Sequence, residues 1–145
     1  MTRFSAYPVR LEHGKIGEFA TAAMNTDPSY RGDEPIIPPT FLTTAAYFWQ
    51  TEESRHAVAH GLDPQRTLHA EQEYLFPDGP PRAGTVLTAT AHLADRIEKH
   101  GRRGGRLTFV TTVTDFRDRD GKLVAQQRST AVQTAQAPTS TENGS

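Results

Sequence analysis

The chain has 145 residues, with 16 lysines and arginines against 17 aspartates and glutamates, which gives a formal net charge of −1. This length fits one domain with its own core, and the balanced charge gives no electrostatic basis for binding nucleic acid or an anionic membrane surface. The absence of cysteine excludes disulfides, thiolate zinc sites and thiol nucleophiles. No apolar stretch approaches the ~18 residues of a membrane helix and the first residues lack a signal-peptide core, so we expect a cytoplasmic protein.

The first third of the chain predicts a strand, a helix and an irregular loop. Residues 3–10 are expected to form the strand. The spacing of Ile16, Phe19 and Ala20 puts apolar side chains on one face of a helix, which we predict from Glu12 to Met24. Turn residues and prolines end this helix and keep the chain irregular to about residue 39.

The segment from Thr40 to Gln50 is apolar almost all round, which is typical of a helix buried inside a sheet. Pro39 suits the first turn of such a helix, where its missing N–H group is not needed. A hydrophobic fraction of only 35% also indicates that a partner subunit contributes part of the burial.

The second half of the chain has the two-residue period of strands. After a short helix predicted around Glu52 to Ala59, strands are expected over 68–76 and 86–97 and around 107–113 and 124–132. Asp120-Gly121 predicts a two-residue hairpin turn, and the last strands are expected to form an antiparallel meander. We predict one domain over 1–136, followed by a disordered tail over 137–145.

This order of elements predicts an α+β architecture with the helices on one side of the sheet. A curved antiparallel sheet wrapped around the 40–50 helix would bury that helix on all sides. Such an arrangement is the hot-dog fold.

Residues 3–135 resemble the MaoC-like dehydratase family, and within it the N-terminal, FAS1-like dehydratase type. The resemblance rests on several segments in the right order: Asn25-Thr26-Asp27-Pro28-Ser29-Tyr30, Pro38-Pro39-Thr40-Phe41-Leu42, Leu68-His69-Ala70-Glu71-Gln72-Glu73-Tyr74, Arg82-Ala83-Gly84-Thr85-Val86-Leu87 and Gly105-Arg106-Leu107-Thr108-Phe109-Val110. It implies activity on thioesters of coenzyme A or acyl carrier protein, by dehydration of 3-hydroxyacyl groups or hydration of enoyl groups.

Catalytic members of this family resemble one another in a loop of pattern Asp-x-Asn-Pro-x-His. On this chain Asn25 occupies the Asp position, Asp27 the Asn position and Tyr30 the His position, so both proton-transfer positions differ. The resemblance therefore implies a scaffold or substrate-holding subunit beside a catalytic MaoC-type partner, as a heterodimer, or as a homodimer with a second copy. It implies no cofactor other than the acyl thioester substrate.

Two alternatives remain at this point. The chain could be a self-sufficient hot-dog enzyme, such as a dehydratase, a thioesterase or a biosynthetic tailoring enzyme, that uses Asp27 or His69 in catalysis. It could also be a binding protein that holds an acyl carrier. The loop at 25–30 has a simpler interpretation as a helix stop, since its residues are ordinary turn formers.

His69 and Glu71 are expected to share one strand face, where a carboxylate could orient an imidazole for acid-base work. The alternative is an ordinary polar strand face. His56 and His60 have the i, i+4 spacing of two metal ligands on a helix, but they lack a third firm ligand, so no metal site is predicted.

Arg102 and Arg103, with Arg106 nearby, lie in a glycine-rich turn that could approach a phosphate of coenzyme A or of a carrier protein. A solvated hairpin turn is the alternative. The remaining predicted substrate contacts are Asn25, Tyr30, Thr40, Phe41 and Tyr47, for which packing in the core or an interface is compatible with lining an acyl channel.

Overall fold

Five antiparallel strands form one sheet in the computed structural model of the protein, which describes residues 3–103 and 105–136. The strands are β1 (Tyr7–Arg10), β2 (Thr67–Leu75), β3 (Val86–His100), β4 (Arg106–Arg117) and β5 (Leu123–Gln133). Their order across the sheet is β1-β3-β4-β5-β2. The last three strands form the predicted meander, whereas β2 pairs with β5 at the far edge. The predicted tail over 137–145 lies outside the described residues.

The helices are α1 (His13–Ala22), α2 (Ala45–Phe48) and α3 (Glu52–Val58), with 3-10 turns at Pro28–Tyr30, Phe41–Thr44 and Pro64–Arg66. Helix α1 buries Ile16 and Ala20 as its spacing predicts. It ends before the predicted Met24, because Met24 has a left-handed backbone with φ of 54° and its side chain is exposed. None of the helices in the described residues is long and apolar enough to cross a membrane.

One face of the sheet carries Leu87, Ala89, Phe116 and Ala125, which join residues of the helical segments in the hydrophobic core. We call this face the helix face, and the opposite one the outer face. Sheet and helices have the arrangement of the hot-dog fold, so the predicted α+β architecture is confirmed.

The segment predicted as a helix buried all round is buried on one side only. Phe41, Leu42 and Ala45 are enclosed, but Tyr47 is 79% and Phe48 54% exposed. The prediction of complete burial was therefore wrong for this chain by itself, because the sheet covers only the side of the segment that carries Phe41, Leu42 and Ala45. A single chain leaves the two aromatic side chains facing solvent.

The turn between β4 and β5 is wider than the predicted two-residue hairpin. Arg117 pairs with Leu123, which leaves five residues between them. The Asp118 carboxylate accepts hydrogen bonds from the backbone N–H groups of Asp120 (2.9 Å) and Lys122 (3.0 Å). The side chain of Asp118 therefore organises the turn, and Gly121 provides the positive φ of 81° that it needs.

Candidate functional site

The loop that corresponds to the family's catalytic motif uses its polar side chains to shape the backbone. The Asn25 side chain accepts a hydrogen bond from the Asp27 N–H (3.0 Å), and the Asp27 carboxylate accepts one from the Ser29 N–H (2.8 Å). Asp27 thereby caps the 3-10 turn Pro28–Tyr30. This geometry favours the helix-stop interpretation of the loop.

Two hydrogen bonds hold the pKa of Asp27 below its usual range: the bond from the Ser29 backbone N–H has the larger effect, and the bond from the Ser29 side chain adds to it. A carboxylate with a lowered pKa is a weaker base, so this environment opposes proton abstraction by Asp27. The catalytic role of Asp27 stays a prediction, and its observed role is structural.

Tyr30 lies at a shallow groove of about 650 Å³ between α1 and the 30–32 segment. The groove is also lined by His13, whose ring contacts the Gly32 carbonyl, and by Arg31. Arg31 donates to the Asn25 carbonyl (2.9 Å) and so ties the segment back to the loop. Of the predicted substrate contacts in this region, Tyr30 faces the groove while the Asn25 side chain is occupied in the turn.

The predicted face-sharing of His69 and Glu71 was wrong. The register places His69 opposite Ala131 and Glu71 opposite Thr130, with Ala70 as an inserted β-bulge residue between them. Ala131 of β5 lies on the helix face, like Ala125, and its neighbour Thr130 lies on the outer face. Residues paired across two strands share a face, so His69 lies on the helix face and Glu71 on the outer face. Both side chains are exposed, and a catalytic role for His69 stays a prediction.

The residues predicted to line an acyl channel have different surroundings. Phe41 is completely buried and contacts the Phe19 ring edge-on at 5.5 Å between centroids. Its side chain therefore packs in the hydrophobic core. Thr40 and Tyr47 are exposed. The Thr43 hydroxyl hydrogen-bonds the Tyr74 hydroxyl, which links this segment to β2.

A polar cavity of about 190 Å³ on the helix face was not predicted from the sequence. The His60 ring lies 2.7 Å from the Thr112 hydroxyl, and Tyr7 closes part of the wall. Other polar lining residues are Gln50, Thr114, Gln127 and Ser129. The signal was present in the two-residue spacing of polar residues on β4 and β5, but only the register shows that these residues face the helices and each other.

His60 and His56 do not act together. Helix α3 ends at Val58, and His60 then adopts a left-handed backbone with φ of 51°, which separates it from the exposed His56. Burial, and then the charge of Arg96, lowers the pKa of His60 and favours its neutral form. In the described ranges no three His, Asp or Glu side chains come together in a way that could hold a metal ion.

The partly buried imidazole of His60 predicts a pH-dependent stability. Because the pKa of His60 is lower in the folded than in the unfolded chain, protons bind preferentially to the unfolded chain. The free energy of unfolding should therefore fall as the pH drops below about 6.5, the ordinary histidine value. Urea unfolding at pH 7, 6 and 5 should show a smaller decrease in His60→Gln than in the unsubstituted protein. His56→Gln, at an exposed position, is the control, and an unchanged decrease in His60→Gln would contradict the prediction.

Arg102 and Arg103 lie at a cavity of about 910 Å³ beside the β3–β4 turn. Arg66 and Arg106 also line it, and the described lining residues include no carboxylate. Arg106 contacts Glu98 (3.6 Å), whereas the side chains of Arg102 and Arg103 are exposed. The cavity therefore has an excess of positive charge on side chains able to meet an anion.

Arg66 is held in place at the wall of this cavity. Its side chain contacts the Asp63 carboxylate (3.0 Å) and donates to the Ala135 carbonyl (3.0 Å), while its own carbonyl accepts from the Thr134 N–H (2.9 Å). These contacts join the start of β2 to the end of β5 next to the arginine-containing turn.

Comparison with known proteins identifies the family. The sequence model described as "FAS1-like, dehydratase domain region" matches residues 2–127, so the chain belongs to this family. The predicted resemblance is thereby confirmed, and MaoC-like dehydratases are among the solved structures with the same fold.

A curated relative, a UPF0336 protein of Cutibacterium acnes, is 34% identical over 67 residues, which are 43% of this chain. The matched part of this chain spans about half, 47%, of that relative's length.

Two solved structures have a similar fold at low sequence identity. The HadBC (3R-hydroxyacyl-ACP dehydratase) complex of Mycobacterium tuberculosis has a TM-score of 0.67 and 21% identity, over 90% of this chain and 96% of that one. The ChsH1-ChsH2 complex of the same organism has a TM-score of 0.71 and 12% identity, over 95% of this chain and 87% of that one.

Proposed function

We propose that this chain is a subunit of an acyl-thioester hydro-lyase, which dehydrates 3-hydroxyacyl thioesters or hydrates enoyl thioesters. In this proposal the chain holds the substrate and supports the assembly, while a catalytic MaoC-type hot-dog subunit supplies the proton transfers. The observation that carries the proposal is the 25–30 loop, where both Asn25 and Asp27 are engaged in shaping a turn.

The chemistry explains why this loop is decisive. Elimination of water beside a thioester needs a base for the α-proton and an acid for the leaving hydroxyl, both matched to the working pH. Asn25 cannot titrate, Asp27 has a lowered pKa, and Tyr30 offers a hydrogen-bond donor in place of an imidazole. The reaction has no redox step, so the proposal includes no cofactor apart from the thioester.

The comparisons support a heteromeric assembly. The two similar structures are named as complexes, HadBC and ChsH1-ChsH2, and one of them is named as a 3R-hydroxyacyl-ACP dehydratase. The exposed aromatic pair Tyr47 and Phe48 is compatible with burial by another subunit. We therefore favour a separate catalytic polypeptide as the source of the Asp and His.

The excess of arginine at the 910 Å³ cavity supports a phosphorylated carrier for the acyl group. Coenzyme A and the phosphopantetheine of acyl carrier protein both present phosphate, which arginine binds well. Arg102 and Arg103 are the proposed contacts, because Arg66 and Arg106 already have carboxylate partners.

The proposal is tested by turnover of the purified chain on crotonyl-CoA and 3-hydroxybutyryl-CoA, followed by the absorbance of the enoyl thioester. We expect little or no turnover by the chain alone. Turnover should rise at least 100-fold when the chain is co-purified with a hot-dog subunit from the same genome that carries Asp-x-Asn-Pro-x-His, the size ordinarily supplied by a positioned acid or base.

Two variants separate this proposal from the self-sufficient enzyme. Asp27→Asn keeps a side chain that can cap the turn, and His69→Ala removes an exposed imidazole. With either variant, turnover by the assembled pair should stay within about threefold of the turnover by the unsubstituted pair. Loss of the partner's motif histidine should abolish turnover. Robust turnover by the chain alone that is lost in either variant would refute the scaffold role.

A further inference from the structure

The polar cavity of about 190 Å³ lies between the helix face of the sheet and the helical segments. Its sheet wall consists of three residue pairs across β4 and β5, which are Val110 with Ala131, Thr112 with Ser129, and Thr114 with Gln127. Ala46 and Val58 close it from the side of α2 and α3. The wall therefore changes along the strands, from apolar at the Val110 end to polar at the Thr114 end.

Several polar groups at this cavity are unpaired. The Thr112 hydroxyl contacts the His60 ring at 2.7 Å. Four other polar side chains of the lining make no hydrogen bond within residues 3–103 and 105–136, and they are those of Tyr7, Thr114, Gln127 and Ser129. Tyr7 is only 5% exposed, and a buried tyrosine hydroxyl usually has a hydrogen-bond partner. These hydroxyl and amide groups can donate to and accept from a molecule that enters the cavity.

The cavity is uncharged. Its described lining residues include no lysine, arginine, aspartate or glutamate. Burial raises the pKa of Tyr7 to about 12, so its hydroxyl remains protonated, and the lowered pKa of His60 favours the neutral imidazole. A charged group would find no opposite charge here, and burying an unpaired charge is costly. The lining therefore suits an uncharged group that carries a hydroxyl or carbonyl oxygen.

The volume limits the size of the group that can enter. A cavity of about 150 Å³ holds a molecule of the size of benzene. At about 190 Å³ the polar cavity can receive about six to eight non-hydrogen atoms. A short acyl group has this size, whereas a long alkyl chain exceeds it.

The polar cavity lies on the same strand as the arginine cavity, the name we give to the 910 Å³ cavity lined by Arg102 and Arg103. Arg106 lines the arginine cavity, and Val110, four residues further along β4, lines the polar cavity. Four residues of a strand span about 14 Å, a distance that a pantetheine arm can bridge. A thioester with its phosphate at the arginines would therefore bring its acyl group to the Val110 end and its tail towards Thr114.

We propose that the polar cavity receives the acyl tail and selects for an uncharged oxygen substituent, above all a hydroxyl, at the far end of a short acyl group. The methylene groups would contact the apolar end of the wall, and the distal oxygen would bond with Tyr7 and Thr114. An unsubstituted alkyl tail of the same length would leave these groups unpaired. This inference rests on the proposed function and deepens it, since it names the class of acyl group that the subunit holds.

The test compares two coenzyme A thioesters with equal numbers of non-hydrogen atoms, 6-hydroxyhexanoyl-CoA and heptanoyl-CoA. Titration calorimetry on the full chain should show at least fivefold tighter binding of the hydroxyacyl thioester, about the effect of one neutral hydrogen bond. Coenzyme A itself, which has no acyl group, gives the affinity contributed outside the polar cavity.

Two substitutions remove hydroxyls with little change of shape, Tyr7→Phe and Thr114→Val. Each should reduce the preference for the hydroxyacyl thioester, and the double variant should have none, while the affinity for coenzyme A stays unchanged. Thr88→Val is the matched control, because Thr88 is exposed on the outer face of β3, between the buried Leu87 and Ala89. It should keep the full preference. Circular dichroism should show that all variants are folded, and the single variants carry the test if the double variant is not.

Three results would overturn the inference: equal affinities of the two thioesters, tighter binding of heptanoyl-CoA, or no binding of either. A preference that persists in both single variants and in the double variant would also overturn it, because the hydroxyls would then serve the fold alone. The proposed function is judged separately, by turnover of the assembled pair on crotonyl-CoA. Turnover without the preference refutes only the inference, and the preference without turnover refutes only the hydro-lyase role.

Discussion

Replacing Phe41 with alanine is expected to lower the free energy of unfolding by about 3–5 kcal/mol, the ordinary range for a buried phenylalanine. The Phe41 side chain is completely enclosed and meets the Phe19 ring edge-on. Its loss would leave a cavity between α1 and the sheet, which the helix face cannot close without moving backbone. Urea unfolding followed by circular dichroism measures the change.

Tyr47 provides the matched control, because it belongs to the same apolar segment but is 79% exposed. Tyr47→Ala should change the free energy of unfolding of the isolated chain by no more than about 0.5 kcal/mol. Equal losses in the two variants would show that the segment is buried on both sides, contrary to the structure.

Reversing the charge of both Arg102 and Arg103 should weaken the binding of crotonyl-CoA at least tenfold. Each hydrogen bond to a charged group contributes roughly 1.5–3 kcal/mol, and solvent exposure of these arginines reduces that value. Titration calorimetry on the Arg102→Glu/Arg103→Glu chain measures this loss of affinity. High salt should also lower the affinity of the unsubstituted protein for crotonyl-CoA, because it screens the exposed charges.

Two comparisons assign the effect to phosphate. Arg119→Glu reverses an exposed charge in the β4–β5 turn and should leave the affinity unchanged. Crotonyl pantetheine, which lacks phosphate, should bind the unsubstituted and the double variant equally. If the double substitution weakened the binding of both thioesters alike, the arginines would be acting on the fold and not on the phosphate.

The sequence predicted the elements and the architecture well, because these depend on local periodicity. Ile16 and Ala20 on α1, and Leu87 and Ala89 on β3, face the core as their spacing requires. Alternation was also clear along β4, and it was present but less clean along β5. Periodicity of this kind needs no knowledge of which strands are neighbours.

The site was predicted less well, because its geometry depends on register and on side-chain capping. One inserted residue, Ala70, separates His69 from Glu71, and such a bulge leaves no signature in a single sequence. Asp118 widens a turn that Asp120-Gly121 alone would make tight. The polar cavity beside His60 exists only because β4 and β5 bring Thr112 and Ser129 opposite each other.

The apolar segment after Pro39 shows a different reason for failure. Its composition indicated burial on every side, but burial in one chain accounts for Phe41 and Leu42 and not for Tyr47. Composition does not distinguish burial within a chain from burial between chains, so the sequence alone could not assign the exposed side.

The bulge at Ala70 also has an evolutionary consequence. By shifting the alternation in mid-strand, it places Tyr74, which bonds Thr43, on the helix face and leaves Glu71 and Glu73 on the outer face. The acidic positions can consequently drift in sequence without disturbing the strand's contact with the helices. The two sides of β2 therefore carry different constraints, because the helix face must keep its contact with Thr43 while the acidic side chains of the outer face meet solvent.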